Sequence, residues 1–256
     1  MVEKARPNPG NGLGPWGDMS GGPSGPGATA IRRLLPFLFL GLALFSLATS
    51  AREPSVRPGI NAPFENPAVT QWIEAFEREG REIWDKRHEI VAALDLKPGM
   101  AVADIGAGTG FFVRLLAQAV GPDGRVYAVD IARNFVEAIE QRARQDGQDW
   151  IRGIVNPPDR SGLAEASVDL VFTSDTYHHF EYPQSMLASL HRAIRPGGSL
   201  VIVDFERIPG VSSPWIMGHV RAGKETVIRE VETAGFHLEK EIPLLRQNYM
   251  LRFRRP

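Results

Sequence analysis

From about residue 100 onward, short apolar runs alternate with segments whose apolar residues recur every three or four positions. The short runs predict strands, and the longer spacing predicts helices. Strands that alternate with helices are typical of a parallel sheet covered by helices. The strands predicted in this way are 101–105, 126–131, 150–155, 168–174, 200–205, 236–242 and 249–253. The last two are predicted to form an antiparallel hairpin at the edge of the sheet.

Two helices are predicted ahead of the first strand. Asn66 has the residue type of an N-cap, and Pro67 suits the first helical position. Apolar residues then recur at helical spacing up to Phe76, and a second series from Ile83 to Leu94 predicts another helix.

The first fifty residues differ from the rest of the chain. Residues 7–30 contain eight glycines and five prolines, a composition that predicts a disordered leader over residues 1–30. Two arginines and an uncharged run follow, and residues 31–51 are predicted to be a signal peptide or a membrane anchor. The domain is accordingly expected to be exported (periplasmic), or anchored to the membrane through residues 34–51 if this segment is uncleaved. Residues 52–63 are interpreted as a linker and 64–256 as one folded domain.

Composition excludes several kinds of chemistry. The chain has no cysteine, and so it can form neither a disulfide nor a thiolate zinc site. Its net charge is −1, and residues 51–256 carry 25 basic and 28 acidic side chains without a basic stripe. Nucleic acid is therefore not a predicted partner.

A glycine-rich loop carries the strongest signal in the sequence. Asp104 ends the first predicted strand, and Gly106, Gly108 and Gly110 follow it before a helix begins. Glycines at the carboxyl end of such a strand let a ligand lie against the backbone. Asp130 ends the next strand, where a carboxylate can accept hydrogen bonds from both hydroxyls of a ribose.

The spacing of the glycines distinguishes between two classes of nucleotide ligand. The dinucleotide fingerprint places its third glycine at position 111, which is Phe111 here. A carboxylate ahead of the glycines, Asp104, would also repel a pyrophosphate but attract an ammonium group. A nicotinamide-dependent oxidoreductase is therefore the alternative interpretation rather than the preferred one.

With these residues the sequence resembles the class I S-adenosylmethionine-dependent methyltransferases, in particular the type 11, ubiquinone/menaquinone-biosynthesis-like proteins. The resemblance covers about residues 85–255. Residues 167–172 are similar to the fourth strand of that family, and 190–204 to its helix and fifth strand. The resemblance implies an α/β fold with a Rossmann-like seven-stranded sheet, one antiparallel edge strand and helices on both faces.

The resemblance also implies S-adenosyl-L-methionine as the cofactor. In many relatives an acidic residue after the third strand contacts the adenine, a role that would pass here to Asn156 or Asp159. The predicted cofactor-binding residues are Asp104, Gly106, Gly108, Gly110, Asp130, Ile131, Asn156, Asp159 and Asp175. For Asp175 the two interpretations are that it holds the ammonium group of the cofactor or that it caps a turn.

Candidate catalytic residues follow the fourth strand. Tyr177 or His178 is predicted to line the acceptor pocket, and His178 or His179 to act as a base. The alternative is that one histidine only holds the loop by bonding to the backbone. Neighbouring residues of an extended chain point to opposite sides, so the two histidines are not expected to face one ligand. No metal site is predicted, because the histidines lack the usual ligand spacing.

Residues 207–223 are interpreted as a lid over the acceptor, with His219 and Arg221 as possible substrate contacts. Of the aromatic residues nearer the N-terminus, Trp72, Phe76 and Trp84 are expected to pack in the core rather than over the cofactor.

Together these features predict in-line transfer of a methyl group from S-adenosylmethionine to an unidentified small-molecule acceptor. Positioning of the two reactants is the main task expected of such a protein. The alternatives are the oxidoreductase and a non-catalytic domain that binds S-adenosylmethionine.

Overall fold

A seven-stranded mixed sheet organises the domain in the computed structural model, which describes residues 53–256. The strand order is β3-β2-β1-β4-β5-β7-β6. The strands are β1 (Ala101–Ile105), β2 (Arg125–Asp130), β3 (Ile151–Val155), β4 (Val168–Ser174), β5 (Ile194–Phe205), β6 (His237–Glu241) and β7 (Asn248–Arg254).

Eight α-helices and two 3-10 turns surround the sheet in this part of the chain. The helices are α1 (Val69–Phe76), α2 (Glu82–Asp85), α3 (Arg87–Ala93), α4 (Phe111–Val120), α5 (Arg133–Gln145), α6 (Pro183–Ala193), α7 (Pro214–His219) and α8 (Lys224–Thr233). The 3-10 turns are Ala62–Phe64 and Tyr177–His179.

The sheet has the predicted mixture of directions. Neighbours among β1 to β5 pair in parallel, whereas β7 runs antiparallel to both β5 and β6. The last two strands form the predicted antiparallel hairpin, in which β6 is the edge strand and β7 pairs with β5. The predicted Rossmann-like fold class is therefore confirmed.

Two hydrophobic layers cover the two faces of the sheet. Along β1, Val102 packs into one layer and Ala103 into the other, as expected when alternate residues of a strand face opposite sides. The first layer receives residues of α3, α4 and α5, and the second receives residues of α6 and α8. A sheet covered on both faces explains why five of the seven residues of β4 are buried.

The chain order of the strands reverses between β1 and β4. The loops after these two strands therefore leave the sheet in opposite directions and open a crevice at their carboxyl ends. The glycine loop follows β1 and the histidine pair follows β4, so the fold brings these two segments to one edge of the sheet.

Residues 53–63, which belong to the predicted linker, pack against the domain. The carboxylate of Glu53 accepts hydrogen bonds from the backbone N–H groups of Gln184 (3.1 Å) and Ser185 (2.7 Å). These N–H groups belong to the first turn of α6, which has no side-chain cap of its own. Glu53 therefore supplies the missing acceptor and ties this segment to the helix.

The helices ahead of β1 are shorter than predicted. Helix α1 begins at Val69 rather than at Pro67, and the Asn66 side chain instead accepts a hydrogen bond from the side-chain amide of Asn134 (3.0 Å). The single helix predicted from Ile83 to Leu94 is divided into α2 and α3 at Lys86.

The predicted disordered leader (1–30) and the predicted signal or anchor (31–51) lie outside the described residues. Within residues 53–256, no helix is both long enough and apolar enough to cross a lipid bilayer.

Replacement of Gly110 by alanine is expected to destabilise the domain. Gly110 caps α4 with a φ of +79°, and an added Cβ would lie 2.6 Å from Cγ1 of Ile139 on α5. The left-handed backbone and the clash together should lower the free energy of unfolding by about 3 kcal/mol, measured by urea denaturation.

Gly147→Ala is the matched control, because Gly147 also has a positive φ (+66°) but no atom within 4 Å of the added Cβ. This control should lose only about 1 kcal/mol. Equal losses in the two variants would show that the approach of α5 to Gly110 has no energetic weight.

Candidate functional site

A cavity of about 680 Å³ opens at the carboxyl ends of the central strands. The glycine loop forms one part of its wall, and the segment after β4 forms another. Residues of α1, α2, α4 and α7 are also among those that line it. Polar groups from several strands therefore converge on one space large enough for a nucleoside and a second small molecule.

Two of the three predicted glycines form the cavity wall. Gly106 has a φ of +75°, and an added Cβ would lie 2.2 Å from Cγ2 of Thr176, so no side chain fits there. Gly108 lies beside it and also lines the cavity. Gly110 is not among the lining residues and instead allows α4 to pack against Ile139. The prediction of a ligand-binding role for all three glycines is corrected at this position.

The Asp130 carboxylate joins the second strand to the glycine loop. Its Oδ2 accepts a hydrogen bond from the backbone N–H of Gly108 (2.8 Å), and its Oδ1 accepts one from that of Ala132 (2.8 Å). These bonds fix the orientation of the carboxylate at the cavity wall, and each oxygen keeps a second lone pair. Asp130 is thus oriented to accept further hydrogen bonds from a ligand.

Asp104 is a carboxyl group of the cavity with a raised pKa and no hydrogen-bond donor in the described part of the chain. It is only 3% exposed, and no donor among the described residues bonds to its side chain. Burial, together with the nearby charge of Asp130, raises the pKa of Asp104 to about 8. A cation brought into the cavity would stabilise the ionised form and supply the missing partner.

The two residues predicted to contact adenine both follow β3, but only one of them lines the cavity. Asn156 lines the cavity, and its side-chain nitrogen donates to the carbonyl oxygens of Pro157 (2.8 Å) and Arg160 (3.0 Å). The Asn156 Oδ1 atom therefore remains available as an acceptor. Asp159 does not line the cavity, and its carboxylate lies 3.1 Å from Arg160 in an ion pair. Ile131, which is also predicted to bind the cofactor, lines the cavity.

Asp175 is engaged by the protein itself. Arg81 approaches its Oδ2 at 2.6 Å, and the side-chain amide of Asn248 donates to its Oδ1 at 2.6 Å. Because Arg81 already neutralises this carboxylate, Asp175 is a poorer candidate than Asp104 for an ammonium ligand. No sequence motif marks Arg81, which lies in a charged stretch between α1 and α2.

Tyr177 does not line the cavity, so the prediction that it lines the acceptor pocket is wrong. The Tyr177 side chain is fully buried, and its hydroxyl donates to Glu230 Oε2 (2.7 Å). Arg221, predicted to contact substrate, lies 5.3 Å from the Tyr177 ring and pairs with the same carboxylate at 2.8 Å. Burial and the Glu230 charge raise the pKa of Tyr177 far above its usual value. Both residues stabilise the packing of α8 against the 3-10 turn.

His178 forms a buried pair with Asp204 at the end of β5. Its Nδ1 lies 2.7 Å from Asp204 Oδ1, and its backbone N–H donates to Asp204 Oδ2 (2.9 Å). Burial acts to lower the pKa of His178, but the adjacent carboxylate outweighs it and raises the pKa. The carboxylate fixes the ring so that Nε2 is the nitrogen left for other contacts.

His179 lies beside His178 rather than on the opposite side. Tyr177–His179 is a 3-10 turn and not an extended chain, so both imidazoles line the cavity, which corrects the expectation that they would not face one ligand. His219 of α7 joins them, with its Nε2 3.4 Å from that of His179. Burial and the other two histidines lower the pKa of His179 to about 3.

Aromatic side chains line the cavity from the glycine loop to the histidines. Trp72 of α1 packs between Phe64 (4.7 Å between ring centroids) and Phe76 (5.0 Å), and all three line the cavity. The expectation that Trp72 and Phe76 belong only to the core is therefore corrected. Trp84 behaves as expected, because it packs against the core beneath the Arg87 guanidinium.

Comparison with known sequences identifies a domain type. Residues 103–202 match the family described as "Methyltransferase domain". An uncharacterized 37.1 kDa protein in transposon TN4556 of Streptomyces fradiae is 34% identical over 110 residues, covering 43% of this chain and 31% of that protein. A ubiquinone/menaquinone biosynthesis C-methyltransferase, UbiE, of Cupriavidus metallidurans is 26% identical over 123 residues, covering 46% of this chain and 48% of that protein. The matched segments thus span less than half the length of these curated relatives.

Solved structures share the fold. A SAM-dependent methyltransferase from Aquifex aeolicus superposes with a TM-score of 0.65 at 24% identity, covering 73% of this chain and 98% of that one. A geranyl diphosphate methyltransferase in complex with GPP and sinefungin superposes with a TM-score of 0.60 at 15% identity, covering 77% of this chain and 98% of that one. At these identities the similarity concerns the fold alone.

Asp104→Asn is expected to stabilise the ligand-free protein, increasingly so at higher pH. The pKa of Asp104 is about 8 in the folded state against an ordinary value of 3.8, so unfolding releases a proton between these values. The contribution of Asp104 to stability is therefore greatest in acid and is lost as the pH rises towards 8. The stability difference between variant and wild type should grow by about 1 kcal/mol per pH unit in urea denaturation.

Asp123→Asn makes the same charge change at an exposed aspartate and serves as the control. Its stability difference should stay nearly constant with pH. An equally constant difference for Asp104→Asn would contradict the raised pKa.

Proposed function

We propose that this chain, a member of the class I S-adenosylmethionine-dependent methyltransferases, transfers a methyl group to a small, partly apolar acceptor molecule. The observation that carries the proposal is the Asp104 carboxylate, which is buried at the glycine loop without a donor from the described residues. A cationic ligand that also bears a nucleoside satisfies this carboxylate and its neighbours together.

The cofactor residues fit S-adenosylmethionine. In this proposal Asp104 holds the ammonium group, Asp130 accepts hydrogen bonds from the ribose, and Asn156 accepts one from the adenine amino group. Gly108 lines the cavity without a side chain and lets the ligand approach its backbone, whereas the space beside Gly106 holds the Thr176 side chain. When bound, the cofactor supplies a methyl group that its sulfonium already activates for transfer.

The remaining part of the cavity is proposed to bind the acceptor. Phe64 and Trp72 offer apolar surface on one side, and Phe205 and Trp215 offer it on the other. The imidazoles after β4 add hydrogen-bonding groups against this apolar wall. Such a lining suits an aromatic or aliphatic body that carries one polar group. The UbiE relatives, named for ubiquinone/menaquinone biosynthesis, are consistent with an acceptor of this kind.

The protein contributes mainly by positioning the two reactants. Holding the acceptor in line with the methyl group can lower the barrier by up to about 7–11 kcal/mol. Apolar walls also exclude water from the reacting groups, which strengthens the electrostatic interactions that orient them. The lining of the cavity, rather than a reactive side chain, is therefore expected to determine the rate.

Cofactor binding should depend on the ionisation of Asp104. S-adenosylhomocysteine carries the ammonium group, so its affinity should rise roughly tenfold per pH unit from about pH 6 to about pH 8. The nucleoside 5′-methylthioadenosine lacks the ammonium group, and its affinity should change little over this range. Isothermal titration calorimetry of the full-length chain measures both.

Asp104→Asn should weaken the binding of S-adenosylhomocysteine and remove its pH dependence. If the affinities of S-adenosylhomocysteine and 5′-methylthioadenosine for the wild type changed equally with pH, the role of Asp104 would be contradicted. Tight binding of NADH in place of both nucleosides would instead support the oxidoreductase alternative.

Trp215→Ala is expected to impair transfer to an apolar acceptor. The Trp215 side chain is 57% exposed, so its removal should leave the fold intact, and it lines the acceptor part of the cavity. The loss of this surface should lower kcat/KM by about tenfold, measured with labelled S-adenosylmethionine and a panel of phenols, quinols and isoprenoid alcohols.

Val211→Ala is the matched control, since Val211 lies on the same connection, is 77% exposed and does not line the cavity. It should retain the wild-type rate. Absence of labelled product from the whole panel, with transfer to protein or nucleic acid instead, would contradict a small-molecule acceptor.

A further inference from the structure

Three histidines from two distant segments meet in the acceptor part of the cavity. His178 and His179 come from the turn after β4, and His219 comes from the end of α7. Each histidine contributes one ring nitrogen to a group of three nitrogens that all lie within 4.8 Å of one another. His178 is buried, and the other two are partly accessible from the cavity.

The distances within this cluster resemble those of a metal site. The Nε2 atoms of His179 and His219 are 3.4 Å apart. Two imidazole nitrogens bound to one tetrahedral zinc ion at about 2.0–2.1 Å are themselves about 3.4 Å apart. One pair of nitrogens therefore already has the separation that a shared ion requires, and the third lies within 4.8 Å of both.

The second nitrogens of two of the rings are already engaged by the protein. Nδ1 of His178 lies 2.7 Å from Asp204 Oδ1, and Nδ1 of His179 lies 3.2 Å from Asn61 Oδ1. Metal-binding histidines typically donate their other N–H to a carboxylate or carbonyl oxygen in this way, which orients the ring and increases the basicity of the ligand nitrogen. Both rings therefore leave Nε2 for contacts within the cluster, where Nε2 of His179 already contacts Nε2 of His219.

Aromatic contacts hold the remaining ring. The indole of Trp215 stacks on His219 at 4.6 Å between centroids with 19° between the planes. His219 ends α7, and the chain on either side of that short helix is irregular, so small movements of this ring disturb no regular element. The cluster thus combines two oriented rings with a third that can adjust.

We propose that His178, His179 and His219 bind a divalent metal ion of the Zn²⁺ type, with an open coordination position towards the cavity. Three neutral imidazoles with one open position are typical of catalytic zinc sites. The ion would take an acceptor through a hydroxyl or carbonyl oxygen and lower the pKa of a bound hydroxyl. This acceptor role rests on the proposed methyltransferase function, whereas the metal site itself does not.

The test is metal binding by the untagged full-length chain after treatment with a chelator. Calorimetric titration with Zn²⁺ should show one site per chain, and Co²⁺ should give the visible absorption of a four- or five-coordinate ion. His219→Ala should weaken Zn²⁺ binding by about 100-fold or more. His237→Ala removes an exposed histidine of β6 and should bind like the wild type.

Titration with S-adenosylhomocysteine in each variant separates the two proposals. If zinc binds in the predicted pattern and S-adenosylhomocysteine does not bind, the metal site stands and the proposed function fails. If S-adenosylhomocysteine binds while zinc binds weakly, or equally well in His219→Ala and the wild type, the metal proposal is overturned.

Discussion

The burial of two carboxylates beside one glycine loop is the constraint on which the site depends. Asp104 and Asp130 end adjacent parallel strands, so the sheet itself holds them close together and away from water. Burial raises the pKa of both carboxyls, but Asp130 accepts two backbone N–H hydrogen bonds that oppose this effect, whereas Asp104 has no donor among the described residues. The fold thus keeps one carboxyl group in an unfavourable environment that a cationic ligand would relieve.

The two proposed binding functions of the cavity follow from the strand order. Loops after β1, β2 and β3 provide the glycines, the second carboxylate and Asn156, which together suit a nucleoside. Segments after β4 and β5 provide the histidines and the apolar surface of α7 at the other end. Because the order reverses between β1 and β4, both groups face the same crevice while each is held by its own half of the sheet.

Much of this arrangement is predictable from sequence because it depends on local spacing. The spacing of apolar residues predicts the strands and helices of the sheet. The positions of Asp104 and Asp130 near the ends of two strands predict that both lie at the site. The predictions that fail depend on contacts between distant segments. Arg81 neutralises Asp175 across 94 residues, and His219 reaches His179 across 40, and no local pattern reveals such pairs.

Local geometry explains the other corrections. A 3-10 turn, where an extended chain was expected, directs Tyr177 into the core and both neighbouring histidines to the cavity. Gly110 matches the glycine motif but is needed for the approach of Ile139, which belongs to a helix that a linear motif does not include. In each case the sequence predicts the position of the residue in the fold, but the neighbours that its side chain or backbone contacts are set by packing between separate segments.

The most direct test of the role of Asp104 is a crystal structure of the full-length chain with S-adenosylhomocysteine. The account predicts a nucleoside in the cavity, with its amino group within hydrogen-bonding distance of the Asp104 carboxylate and its ribose hydroxyls on Asp130. A nucleoside bound with its amino group directed away from Asp104, or bound outside the cavity, would contradict it.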